Sequence, residues 1–248
     1  MTQETQTAKK RAGNLIHVLT ASGAVAGLAA LQSIINGDVR SGLVWLIVCQ
    51  VLDGIDGPIA RSYGLDQTPG LIDGHILDLV VDYVTCAVVP AALLVHTHLV
   101  RPSLSMLVAG AILLTSALWF ARTDQETPDA WFNGFPAGWN IVIPSLLLLH
   151  AGEARVLQVV TFFCVLQMTK VQFPHIMKAR AMRRLTLAFT VLYFGCFVLL
   201  SADYPGGPGW ARTVLLVTPL YLAFLVIWRT WAPDRLILGR SVRERTLS

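Results

Sequence analysis

Apolar residues in this chain come in blocks about twenty long, the length at which a helix crosses the ~30 Å hydrocarbon core of a bilayer. That pattern sets the fold class: all-α, a polytopic membrane helix bundle. Composition agrees, with 54% hydrophobic and only 14% charged residues, where soluble domains carry about 25% charged. The 248 residues leave no room for a sizeable soluble domain beside the helices. The expected organisation is a single integral membrane domain over 1–248, with a polar N-terminal tail at 1–12 and a basic C-terminal tail at 233–248. The start, MTQETQTAKKRAGN, has no signal-peptide pattern. Cys49, Cys86, Cys164 and Cys196 all lie inside apolar runs and read as small core residues.

Eight spans are expected, at roughly 15–36, 41–61, 75–99, 104–121, 139–150, 155–172, 184–201 and 211–231. The fifth is short, so it starts earlier, within the aromatic segment 131–139, or lies tilted and partly buried. Placing the N-terminus in the cytoplasm and alternating puts fifteen Lys and Arg on the cytoplasmic side. Among them are Lys9, Lys10, Arg11, Arg61, Arg122, Lys170, Lys178, Arg180, Arg183, Arg184, Arg229 and those of the C-terminal tail. The other side holds four: Arg40, Arg101, Arg155 and Arg212. The imbalance follows the positive-inside rule and puts both termini in the cytoplasm. Net charge +4 is explained by that bias and by anionic lipid, so nucleic acid is not called for as a partner. Gly23 and Gly27 form a GxxxG in the first span and predict close helix packing.

Four carboxylates stand apart from the loops and tails: Asp53, Asp56, Asp78 and Asp82. An Asp at the centre of a membrane helix costs roughly 2.5–3.5 kcal/mol, less toward its ends. Asp53, Asp56, Gly57 and Ala60 recur at i, i+3, i+4 and i+7, one helix face; Gly74, Asp78 and Asp82 step by four, again one face. The second and third spans run antiparallel, so the two acidic faces lie at equal depth and meet. A carboxylate pair at ~4 Å repels by about 4 kcal/mol at an effective dielectric of 20. The group must take up protons or gather around cations, and oxygen-only ligands suit Mg²⁺ or Mn²⁺. Two such ions bridged by carboxylates make a clamp for phosphoryl chemistry. Gly57 and Gly74 leave the acidic face open to a ligand, and Arg61 at the membrane edge suits a diphosphate. From spacing alone a structural ion cluster, or the pathway of a divalent-cation transporter, remains open beside the enzyme. The outer halves of the spans lack acids, which counts against a transporter.

The same residues resemble the signature of the CDP-alcohol phosphatidyltransferase family, D-x2-D-G-x2-A-R, a spacer, then G-x3-D-x3-D. Here it reads DGIDGPIAR and GHILDLVVD, with all eight fixed residues in place: Asp53, Asp56, Gly57, Ala60, Arg61, Gly74, Asp78 and Asp82. The spacer, Ser62 to Asp73, is twelve residues, longer than is usual in the family. That length resembles the bacterial phosphatidylcholine synthase branch, as do HVLTASG at 17–23, LDLVVDYVTCAVVP at 77–90 and GFPAGWN at 134–140.

The resemblance implies a multi-pass enzyme of the bacterial inner membrane whose site faces the cytoplasm. It would transfer the phosphatidyl group of CDP-diacylglycerol to choline and release CMP. Asp53, Asp56 and Asp78 would hold two divalent ions, Mn²⁺ or Mg²⁺. Asp82 would share in the metal site or act as base on the choline hydroxyl. Gly57, Ala60, Arg61 and Gly74, with Thr20 of the first span, would meet the CDP-diacylglycerol. A relative using serine, glycerol phosphate or inositol phosphate is the nearest alternative. Partners are the two substrates and membrane lipid, and a homodimer is one arrangement open to the chain. Choline carries a quaternary ammonium, which aromatic faces hold well. Tyr83, Trp119, Trp131 and Trp139 are its candidate contacts, with an interfacial aromatic belt as the plainer reading of each.

Overall fold

The computed structural model describes residues 3–62, 72–129, 131–174 and 183–231, with side chains for 13–59, 72–129, 131–174 and 184–231. Residues 63–71 of the spacer, Lys178, Arg180 and the C-terminal tail 233–248 lie outside the described residues. So do the side chains of Lys9, Lys10, Arg11, Ala60, Arg61 and Arg183.

Eight helices make up the described chain: α1 (Gln3–Ile35), α2 (Val39–Ser62), α3 (Gly74–His96), α4 (Pro102–Phe120), α5 (Trp139–Leu148), α6 (Glu153–Gln167), α7 (Arg183–Ala202) and α8 (Gly209–Trp231). Six of them, all but α5 and α6, are long and apolar enough to cross a membrane. α1 is longer than expected. The polar residues of the anticipated tail continue the helix back to Gln3, because no proline and no glycine before Gly13 interrupts good helix formers. α5 has 10 residues, or about 15 Å of helix. It does not start earlier: Trp131–Asn133 forms a short strand, β1, paired antiparallel with β2 (Gln172–Pro174). α5 is instead buried within the protein, at every position except Ile141 and Val142.

α1 and α2 form a tight antiparallel pair, and α3 packs against α1, α4 and α5. Asp38 opens α2 by accepting from the Ser41 amide at 3.0 Å; hydrogen bonds from Ser41 hold its carboxyl below the ordinary carboxylate value. α3 is capped by Asp73, whose Oδ1 accepts from His75 N at 3.0 Å and Ile76 N at 3.2 Å. Within α3, Tyr83–Val88 is π-helical, and the Val89 amide reaches back to Val84 O. Pro90 explains the widening. It has no N–H to give, and in α register its ring would crowd the carbonyl of Cys86.

Small residues let α1 approach α3. A Cβ on Gly23 would stand 2.9 Å from Val81 Cγ1, and one on Gly27 3.2 Å from Thr85 Cγ2. The expected GxxxG contact is therefore present. Polar side chains tie the middle of the bundle. Thr115 donates to Gln167 Oε1 at 2.6 Å, and Gln167 Nε2 and Trp139 Nε1 both donate to Ser116 Oγ, at 3.3 and 2.9 Å. These bonds join α4, α5 and α6. Gly134, at φ +80°, passes so close to α6 that a Cβ would meet Gln167 O at 2.6 Å. Arg122 donates to Gln167 O and Thr169 O at 3.0 and 2.9 Å, closing the end of α6. The bidentate contact it also makes holds the Asp124 carboxyl below its ordinary value.

α8 is fastened at both ends by arginines. Arg212 donates to Leu148 O at the end of α5, at 3.1 Å. Arg229 pairs with Asp129, donates to Gln172 Oε1 at 2.9 Å, and lies 5.2 Å from the ring centre of Trp131.

Candidate active site

α2 descends and α3 ascends beside α1, so the carboxylates of α2 and α3 come to the same end of the bundle. Asp53, Asp78 and Asp82 each offer an oxygen, and these oxygens all lie within 4.8 Å of one another. They line an open cleft with Thr20, Gly23, Cys49, Leu52, Asp56, Val81 and Thr85. Asp53 is exposed, while Asp78 and Asp82 are half-buried, so the group opens outward on the α2 side. None of the described residues lining the cleft is basic.

The donor set fits a hard divalent cation. Three oxygens within 4.8 Å span little more than the ~4.2 Å across an Mg²⁺ shell with bonds of about 2.1 Å. Held together as anions, each pair at that separation would repel by about 3–4 kcal/mol at an effective dielectric of 20. A cation between them removes that repulsion.

Asp56 is arranged differently. It is buried, and its Oδ2 accepts a 2.7 Å hydrogen bond from Thr20 Oγ1 of α1. Thr20, expected to meet the nucleotide, is here bonded to a carboxylate of α2. Ser22, two residues on, donates to its own helix at Leu19 O, at 2.6 Å. Gly57 is half-buried beside Asp56, and α2 continues through Ala60 and Arg61. Gly74 does not face open space. A Cβ there would stand 3.0 Å from His17 Cε1, so the glycine admits the α1 histidine.

Three of the four aromatics expected around choline are core residues. Trp139 is fully buried, donates to Ser116, and packs edge-on to Phe135 at 5.3 Å. Trp119 is 3% exposed; its Nε1 donates to Asn133 O at 2.9 Å. Trp131 is as deeply buried, with Arg229 over its ring. None of the three lines the acidic cleft. Tyr83 is only half-buried and follows Asp82 directly; its hydroxyl donates to Leu113 O at 3.2 Å and its ring meets Phe120 edge-on.

Cys49 in the cleft wall was legible in principle, lying four residues before Asp53 on the same helix face. The Thr20–Asp56 bond was not, because nothing in local spacing says which face of α1 meets α2.

Residues 13–192 match the CDP-alcohol phosphatidyltransferase family. The chain belongs to that family. Its members transfer a phosphatidyl group to an alcohol and depend on a divalent metal, for which Asp53, Asp78 and Asp82 are the fitting ligands here. Three relatives within the family are phosphatidylcholine synthases. That of Brucella melitensis is 30% identical, over 85% of this chain and 76% of its own. That of Pseudomonas aeruginosa is 29% identical, over 87% and 90%. That of Bradyrhizobium diazoefficiens is 33% identical, over 94% and 85%. Family membership removes the transporter reading of the acidic cluster.

Proposed function

We propose that this protein is a CDP-diacylglycerol–choline phosphatidyltransferase, making phosphatidylcholine and CMP. The convergence of Asp53, Asp78 and Asp82 at one end of the bundle carries the chemistry; the relatives' shared name supports choline as the alcohol. Asp53, Asp56 and Asp78 would hold the metal, two ions of Mn²⁺ or Mg²⁺, with Asp82 contributing; Asp53, Asp78 and Asp82 already gather, and Asp56 would join them from its place beside Thr20. A bound divalent cation supplies the positive charge that grips the diphosphate of CDP-diacylglycerol and offsets charge on the departing CMP.

This chain's residues do the rest. Gly57, Ala60 and Arg61 meet the nucleotide diphosphate beyond the last turn of acids. Asp82 takes the proton from the choline hydroxyl. That oxygen then bonds to the phosphorus bearing diacylglycerol as the bond to CMP breaks. Tyr83, next to Asp82 and half-exposed, is the ring best placed for the trimethylammonium, whose charge the acidic cleft also favours. The site faces the cytoplasm of a bacterial inner membrane, with both termini on that side and residues 1–248 acting as one domain. The excess of Lys and Arg on that side supports this.

The test uses purified protein, CDP-diacylglycerol and Mn²⁺ with labelled choline, serine, glycerol phosphate and inositol phosphate. Choline is expected to give the highest kcat/KM. Preference for another alcohol overturns the acceptor while leaving the family and the metal site in place.

A further inference from the structure

We infer that Thr20 is a positioning residue for Asp56, through which α1 takes part in a metal site otherwise built by α2 and α3. The inference rests on the metal-dependent transfer proposed above and extends it to a residue outside the acidic signature.

Four carboxylates line one cleft, yet only Asp53, Asp78 and Asp82 gather within 4.8 Å. Asp56 is turned to α1 instead, held by the Thr20 hydroxyl at 2.7 Å. Both residues are buried, Thr20 at 9% and Asp56 at 7% exposure, so water does not readily replace the bond. The length is that of a well-made hydroxyl–carboxylate hydrogen bond. The other described hydroxyls on this helix bond back to their own backbone: Ser22 to Leu19 O and Ser33 to Ala29 O. Thr20 gives its one proton across 36 residues of sequence. Gly23 brings α1 close to α3 three residues further on, which fixes the helix that carries this donor. Removing the hydroxyl leaves Asp56 free to turn about its side-chain bonds, so that its other oxygen, Oδ1, is no longer held in one direction for a metal.

Groups that orient metal ligands change metal affinity by about 10–100-fold when removed. The measurement is Mn²⁺ binding to the detergent-purified full chain, followed by the electron paramagnetic resonance of free Mn²⁺ without substrate. Thr20→Val keeps the shape and removes the hydroxyl; it is expected to weaken Mn²⁺ by about 10–100-fold. Thr20→Ser restores binding close to wild type. In an Asp56→Asn background, Thr20→Val has no further effect. An unchanged Mn²⁺ affinity in Thr20→Val, with a raised KM for CDP-diacylglycerol, overturns the inference in favour of a nucleotide contact. An equal loss with or without Asp56 also overturns it, because Thr20 would then act on the fold alone. If valine does not pack, Thr20→Ala against Thr20→Ser carries the same comparison. The readout needs no alcohol, so a wrong acceptor leaves this result standing.

Discussion

At the scale of residues, the acidic cleft and the tryptophans make opposite demands. Asp53 and Asp78 sit on different helices but share one small volume, so either change, Asp53→Asn or Asp78→Asn, is expected to remove at least about 99% of transfer activity. That loss matches the upper range for disturbing a metal's surroundings. Mn²⁺ titration of turnover checks it, and a variant that saturates at wild-type Mn²⁺ with normal kcat removes that Asp from the metal site. Asp82→Asn separates roles: kept Mn²⁺ binding with lost turnover marks the proton acceptor, whereas near-normal turnover takes Asp82 out of the mechanism. Trp139 tests the reverse. It is fully buried and bonded to Ser116, so Trp139→Leu should cost about 3 kcal/mol of stability and leave the choline KM of the folded fraction unchanged. Thermal unfolding in detergent and choline kinetics measure the two. A choline KM that rises without a fall in Tm returns this ring to the acceptor.

At the scale of elements, the approach of α1 to α3 is set by absent side chains. Gly23→Ala puts a methyl 2.9 Å from Val81 Cγ1, and overpacking of this kind typically costs about 1–3 kcal/mol. The expected outcome is a lower Tm and weaker Mn²⁺ activation, both recovered by Val81→Ala in the same chain. A double variant no better than Gly23→Ala locates the damage elsewhere. These contacts also mark what sequence could tell. The i, i+3, i+4 spacing of Asp53, Asp56 and Gly57, and the four-residue steps of Gly74, Asp78 and Asp82, are local periodicities, so both acidic faces and their meeting were legible. The GxxxG was legible for the same reason. The fates of Asp56 and the tryptophans were not, since each depends on which third element covers the face. Asp56 goes to α1, Trp119 to the backbone of Asn133, and Trp139 to Ser116 of α4. The brief β1–β2 pairing joins segments about forty residues apart, beyond any short-range signal.

At the scale of the whole molecule, orientation and anchoring can be measured separately from chemistry. A single Cys at Asp38, in the turn before α2, should react with a membrane-impermeant maleimide added outside intact cells. One at Asp124, in the loop after α4, should react only after the membrane is opened. The opposite pattern inverts the proposed topology. Fastening of α8 lies apart from the acidic cleft: Arg229 meets Asp129, Gln172 and Trp131, at a partly exposed pair. Arg229→Met is expected to lower stability by no more than about 1 kcal/mol, with the Mn²⁺ half-saturation unchanged; a shifted Mn²⁺ response would tie the end of α8 to the site. The short, enclosed α5 has a further consequence. A helix wrapped by protein has no obligation to match the lipid around it. Hydrophobic mismatch falls instead on helices long and apolar enough to span, the six longer ones, which answer a thicker or thinner bilayer by tilting. α2 and α3 are among those six, so bilayer thickness bears directly on the two helices that bring the carboxylates together.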